Sequence, residues 1–420
     1  MRYIIFIFLQ FFLSISQAKP VELIMWHSLA GQIGIELTQL VTRFNQSQSD
    51  YKVRLVYKGE YTEALTSFAA AFRAGQPPAI MQVFEVGKAT MLYPKGIIKP
   101  VDELMQEQGF LLPKESFLPA VRDFYSETNQ LLALPFNISI PVIFYNADAL
   151  AKIGYTQASF PRTWQDMEIL AAKLREAGYA CSYTSAYPSW IQLESFAAIH
   201  GLSRSNKKPY TTALIHHLER LKKWQENHYF EYGGRASNAT VLFTSGHCVL
   251  FSQSSGSYNS LAELVKFGIG VAPVPLDTQI SSQRHNNIAG GAALWAIAGQ
   301  TQESYQGIAR FFSYLTQPET QQRWHQKTGY LPVGLSGIYA SLLKKTHPVL
   351  ALAQEDLGRQ SEEPISSSVE PQNQIRLIND EALEVIFASI QSPAQAMEEA
   401  IERARYIVLR FARNTALKRH

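Results

Sequence analysis

A chain of 420 residues with a formal charge of +3 is too long for one hydrophobic core and suits two lobes of ordinary size. That near-neutral balance, without a dense lysine and arginine cluster, argues against nucleic-acid binding, and the basic end at 418–420 reads as a solvated terminus. The two cysteines, Cys181 and Cys248, have no metal-ligand spacing around them. They are either a disulfide pair or two small buried apolar side chains, and their Cα separation decides which.

The chain opens with a basic residue, Arg2, followed by an almost wholly apolar run over 3–15 and small residues at Ser16 and Ala18. This predicts a signal peptide at 1–18, cleaved after Ala18, and hence export to the periplasm. The run is too short to span a bilayer. No cysteine follows it, so no lipid anchor is indicated.

Beyond the leader, strands and helices alternate. An apolar strand over 21–26 precedes a helical stripe of Ile33, Leu37, Leu40, Val41 and Phe44. Val53, Leu55 and Tyr57 alternate as in a strand. Leu65, Phe68, Ala69 and Phe72 mark a helix stopped by Gly75 and Pro77-Pro78, and a strand over 79–84 follows. This β-α-β-α-β order predicts a largely parallel sheet covered by helices. A strand over 141–145 then leads to a helix opened by Thr163 and Asp166 and carrying Met167, Leu170, Ala171 and Leu174. A helix centred on 216–224 presents His216-His217 on a solvated face. Strand and turn signals recur over 242–257 and 268–274. Ile308, Phe311, Phe312 and Leu315 form another helical face, and Ser392-Pro393 opens the last helix, with Met397, Ala400, Ile401, Ala404 and Val408 inward. No repeat or low-complexity linker appears, so the lobes must be joined by extended crossings that make a hinge.

The tests for chemistry are mostly negative. There is no G-x-S-x-G elbow, no phosphate loop ending in Gly-Lys-Ser/Thr and no H-E-x-x-H. A pair of carboxylates acting as acid and base is left open by sequence. Ser254-Ser255-Gly256-Ser257 and Gly290-Gly291 could present hydroxyls and unobstructed backbone N–H groups to a phosphate, although each cluster alone also reads as an ordinary turn. Tyr61, Tyr187, Trp190 and Tyr330 are core candidates by default.

Taken together and in order, several segments resemble the glycerol-3-phosphate-binding periplasmic proteins. They are Trp26-His27-Ser28, Tyr57-Lys58-Gly59-Glu60-Tyr61, Gln82-Val83-Phe84-Glu85-Val86-Gly87 and Pro135-Phe136-Asn137-Ile138-Ser139. They continue with Trp190-Ile191-Gln192-Leu193-Glu194, Ser254-Ser255-Gly256-Ser257, Gly290-Gly291-Ala292, 324–332 and 371–381. The resemblance implies an α/β, two-lobed class II periplasmic-binding-protein fold, each lobe a mixed sheet flanked by helices. It places the N-terminal lobe at 19–136 and 267–330, and the C-terminal lobe at 137–266 and 331–420.

The same resemblance implies a periplasmic subunit of an ABC importer. It would bind sn-glycerol 3-phosphate or a glycerophosphodiester such as glycerophosphocholine, work as a monomer and deliver the ligand to the permease's transmembrane subunits. It implies no catalysis, cofactor or metal. Tyr61 and Glu85 would meet the glycerol hydroxyls, and Trp190 would pack on the glycerol carbons. Ser139, Ser254, the Gly291 backbone, Tyr330 and Arg376 would hold the phosphate, with Arg376 as its charged anchor. Tyr187 stands where the family pattern has a first tryptophan and is a possible ligand wall. The stretch 202–210 is shorter than in the relatives. The rival expectations are a sugar or oligosaccharide binder on the same scaffold, an exported phosphodiesterase, and a structural envelope protein.

Overall fold

A computed structural model describes residues 19–93, 95–332, 348–357 and 370–416. The expected leader at 1–18 and the basic end at 418–420 lie outside the described residues. No helix among the described residues is long and apolar enough to cross a membrane.

The strands collect into two main sheets. In the first, Tyr51–Tyr57, Val21–His27 and Ile80–Phe84 run parallel. Gly290–Ile297 then lies antiparallel to Ile80–Phe84, with Ile98–Lys99 and Leu134–Ser139 pairing along it. The opening β-α-β-α-β pattern is thus parallel as expected, and the sheet becomes mixed where a strand returns from far down the chain. Leu37, Leu40, Val41 and Phe44 of helix Gly31–Gln46 are buried against it. Helix Tyr61–Arg73 starts at a capping box in which Glu60 and Glu63 satisfy each other's backbone N–H groups. This fixes Tyr61 as the first helical residue.

The second sheet has the order Phe230–Glu231, Cys181–Ser185, Cys248–Ser254, Pro141–Asn146, Ile269–Pro273. Helix Trp164–Glu176 covers it, capped by Thr163, whose side chain accepts from the Asp166 N–H. Helices Lys207–Glu226, Gln372–Phe387 and Pro393–Ala416 complete this lobe's core through Leu218, Leu221, Leu383, Ile386, Met397 and Ala400.

Two expectations need correction. The stretch from 267 was assigned to the first lobe, yet Ile269–Pro273 pairs antiparallel with Pro141–Asn146 in the second sheet. Gly270 makes this fit possible, because a β-carbon there would fall 2.0 Å from the ring of Tyr145 on the neighbouring strand. The chain therefore changes sheet between Pro273 and Gly290, and likewise between Ser139 and Pro141 rather than at 136. His217, expected on a solvated face, is fully buried and stacks on Phe196 with ring centroids 4.0 Å apart. Its neighbour His216 is half-exposed, as the rotation of about 100° per helical residue requires.

Cys181 and Cys248 form a disulfide between adjacent parallel strands, where they are register partners with Cα atoms 4.4 Å apart. Closing a loop with 67 residues of sequence separation contributes ~4 kcal/mol in the chain-entropy view. The two sulfurs and a Glu231 carboxylate oxygen lie within 4.8 Å of one another, but bonded sulfurs are not thiolate ligands, so this cluster is no metal centre.

Candidate ligand-binding site

The cleft between the lobes is built where both crossings leave the first sheet. Strand Leu134–Ser139 is buried throughout and ends on Ser139, which is the register partner of Gly290. One residue on, Gly291 has φ +96°, and a β-carbon there would lie 1.9 Å from the Asn137 carbonyl oxygen. Only glycine fits both demands. At Gly290 a β-carbon would fall 2.3 Å from the Trp190 ring, so the second lobe's indole rests directly on first-lobe backbone. Tyr330 packs the same way on Gly256, just past Ser254, whose hydroxyl accepts from the Gly256 N–H at 3.2 Å.

Asn137 ties the first-lobe side together. Its Nδ2 donates to the Tyr61 hydroxyl at 3.0 Å, its Oδ1 accepts from Gln82 Nε2 at 2.8 Å, and its side chain also bonds Tyr330. Gln82 in turn accepts from the Ser28 N–H. Tyr61 stacks on Phe84, with centroids 5.2 Å apart. Burial holds the Tyr61 and Tyr330 phenols above their ordinary range, so both are neutral hydroxyls able to donate.

The charged end of the cleft lies on Arg376, in helix Gln372–Phe387. Its Nε and Nη2 form a parallel pair of bonds to Glu194 at 2.9 and 2.6 Å. Its Nη1 donates to Glu85 across the lobes at 2.8 Å. All three side chains are largely buried. Burial alone would depress the guanidinium pKa, but Glu194 and Glu85 outweigh it and hold Arg376 above its usual value. Burial raises the Glu85 carboxyl, with Arg376 pulling it back. Burial also raises Asp380, although the Ser189 hydroxyl that donates to it favours the ionised form.

Among the expected site residues, Trp190 lies against Gly290 next to Gly291, Tyr330 lies against Gly256 beside Ser254, and Ser139 is the register partner of Gly290. There is one difference in placement. Arg376 and Glu85, expected at opposite ends of the ligand, touch each other. Two carboxylates and one guanidinium leave a formal charge of −1 there, and three of the five Arg376 N–H groups are already directed at carboxylates. Tyr187 stands edge-on to Trp190 with centroids 6.4 Å apart, at a left-handed φ of +41°.

Residues 39–341 match the family described as bacterial extracellular solute-binding protein. The sn-glycerol-3-phosphate-binding periplasmic protein UgpB of Escherichia coli K12 is 38% identical over 413 residues, covering 93% of each chain. The chain belongs to this family. Its UgpB relative in Yersinia enterocolitica is also 38% identical, over 410 residues. Among solved structures, UgpB from Mycobacterium tuberculosis in complex with glycerophosphocholine superposes with a TM-score of 0.77 at 20% identity, covering 94% of this chain and 99% of that one. The GacH receptor of Streptomyces glaucescens, solved unliganded and with acarbose, gives 0.78 at 18% identity, covering 93% and 99%. These neighbours share the two-lobed fold, and family membership makes this chain a solute-binding protein rather than an enzyme.

This solute-binding protein also brings to the cleft residues that were not singled out from sequence. Glu194, Asn137 and Gln82 all lie inside the resembling motifs, so the signal was present. Their roles were hidden because an amide or a second carboxylate carries no spacing rule of its own. Asp380 follows Arg376 by four residues on the same helix.

Proposed function

We propose that this protein captures sn-glycerol 3-phosphate, and glycerophosphodiesters such as glycerophosphocholine, for an ABC importer. Residues 1–18 direct its export to the periplasm. It works there as a monomer, closing its lobes on the ligand and handing it to the transmembrane permease subunits, while the transporter's ATPase supplies the energy. The observation that carries this reading is the 38% identity, across 93% of both chains, to relatives named for that ligand.

The cleft chemistry supports it. A phosphate needs several donors in a small volume, and Ser139, Ser254, the Gly291 backbone and Tyr330 offer neutral ones where Gly256, Gly290 and Gly291 allow close approach. Glycerol hydroxyls need acceptors, and Glu85 supplies them beside Tyr61. Trp190 gives the carbon chain an apolar wall. Arg376 has two N–H groups beyond those aimed at Glu85 and Glu194, and these serve a phosphate oxygen while the carboxylates fix the guanidinium plane.

Calorimetry with glycerol 3-phosphate, glycerophosphocholine, glycerol and maltose tests the proposal. Saturable binding of one or both phosphate ligands, with glycerol and maltose silent, is the expected outcome. A response to maltose alone would move the protein to the sugar binders.

A further inference from the structure

Trp190 and Glu194 reach the cleft from an unusual turn. Ser189–Ser195 is π-helical, a wound-out geometry that local propensity does not favour and that the surroundings must hold. Gln192, on the opposite side of this turn, is buried in a polar network. The Tyr183 hydroxyl donates to Ser252 Oγ, Ser252 donates to Ser185 Oγ, and Ser185 donates to the Ala186 carbonyl. Each hydroxyl has then spent its single proton, so all three oxygens can only accept. Gln192 must turn its NH2 group to them, at 2.5, 2.9 and 3.1 Å.

That orientation turns the Gln192 carbonyl to His217 Nε2, 3.0 Å away, which must carry the proton. His217 is therefore a neutral imidazole with Nδ1 as acceptor, facing Arg220 Nη1 at 3.5 Å. Arg220 is itself paired with the buried Asp277. An ordered relay thus runs from the Arg220–Asp277 ion pair to the turn that carries Trp190 and Glu194. It ends on Ala186, next to Tyr187.

We infer that Gln192 and His217 are positioning residues for the cleft, setting the π-helical turn so that Trp190 meets Gly290 and Glu194 meets Arg376. This rests on the proposed reading of the cleft as the ligand site. In the full-length protein, His217→Phe keeps the stacking on Phe196 and removes both hydrogen bonds, whereas His217→Gln retains a donor toward Gln192. His217→Phe is expected to weaken glycerol 3-phosphate binding about tenfold or more, and His217→Gln by less than about threefold. The Trp190 indole resonance, assigned by its loss in Trp190→Phe, should move in His217→Phe and stay near the parent position in His217→Gln. Trp295 and Trp324 in the first lobe should not move in either.

A lower melting temperature in His217→Phe with parental affinity and an unmoved Trp190 signal would reduce His217 to a structural role and overturn the inference. If the parent binds neither phosphate ligand, the functional proposal fails, and the Trp190 resonance still decides this one. Should His217→Phe not fold, the imidazole nitrogen shifts of the parent decide. The relay requires a proton on Nε2 and none on Nδ1, and the opposite tautomer overturns it.

Discussion

At one end of the cleft a guanidinium is pressed between two carboxylates. At the other, Gly290, Gly291, Ser254, Gly256 and Tyr330 bring backbone and hydroxyls together with no formal charge. The first end is held by attraction between buried ions, and each partner is costly if left alone. The second is held by shape, since its glycines lie where a β-carbon would strike a neighbour. A small anionic ligand gains from this division. On the proposed reading the neutral donors gather its charge, while Glu85 and Glu194 fix the plane of the Arg376 guanidinium, whose two remaining N–H groups can meet a phosphate oxygen.

The largest expected effect comes from removing Arg376 from the charged end. Arg376→Ala leaves Glu85 and Glu194 buried without their partner, which should cost roughly 3–5 kcal/mol of folding stability. Glycerol 3-phosphate binding should weaken by ~2–5 kcal/mol as well. Urea unfolding and calorimetry measure the two separately. Parental values in both would mean that this end contributes to neither.

The shape-built end is tested by adding one carbon. Gly291→Ala meets both a left-handed φ and the Asn137 carbonyl, so a loss of about 2–5 kcal/mol is expected. Gly96 has a similar φ of +82° but open space around it, and Gly96→Ala should cost only ~1–2 kcal/mol. Equal losses in urea unfolding would show that the close approach at Gly291 is unimportant and that only φ matters.

The two ends also differ in how far the sequence revealed them. Gly290-Gly291 and Ser254 to Ser257 stand out because small residues in a row announce close approach. The alternation over the first 84 residues likewise announced the parallel core, and Thr163 and Pro393 marked their helix starts where the structure has them. The charged cluster was only half visible. Glu85, Glu194 and Arg376 are separated by more than 100 residues each, and nothing local says which carboxylates meet which guanidinium. The strand at Ile269–Pro273 is legible as a strand, but the lobe bounds implied by the resemblance put it in the wrong lobe, and its own apolar run could not correct them, because such a run does not name the sheet it joins. His217 was misplaced for a similar reason. Its burial depends on Phe196 and Gln192, which approach from a different part of the chain.

The smallest change separates stability from recognition within the charged end. In Glu85→Gln the Arg376–Glu194 pair is left neutral, so the folded protein should lose little stability at neutral pH and can gain some. Burial raises the Glu85 pKa in the folded state, so the native protein holds that proton more tightly than the unfolded chain does. Glu85's contribution to stability is therefore fully present below the unfolded carboxyl pKa and lost as pH rises through the raised one. Glutamine does not titrate, so stability measured by thermal melts should shift in favour of the variant as pH rises from 4 toward 7. Ligand binding should respond in the other direction, weakening by ~1.5–3 kcal/mol at neutral pH because a neutral amide replaces a charged acceptor for the glycerol hydroxyls. Parental affinity in Glu85→Gln would leave Glu85 as a partner of Arg376 alone, with the hydroxyls read elsewhere in the cleft.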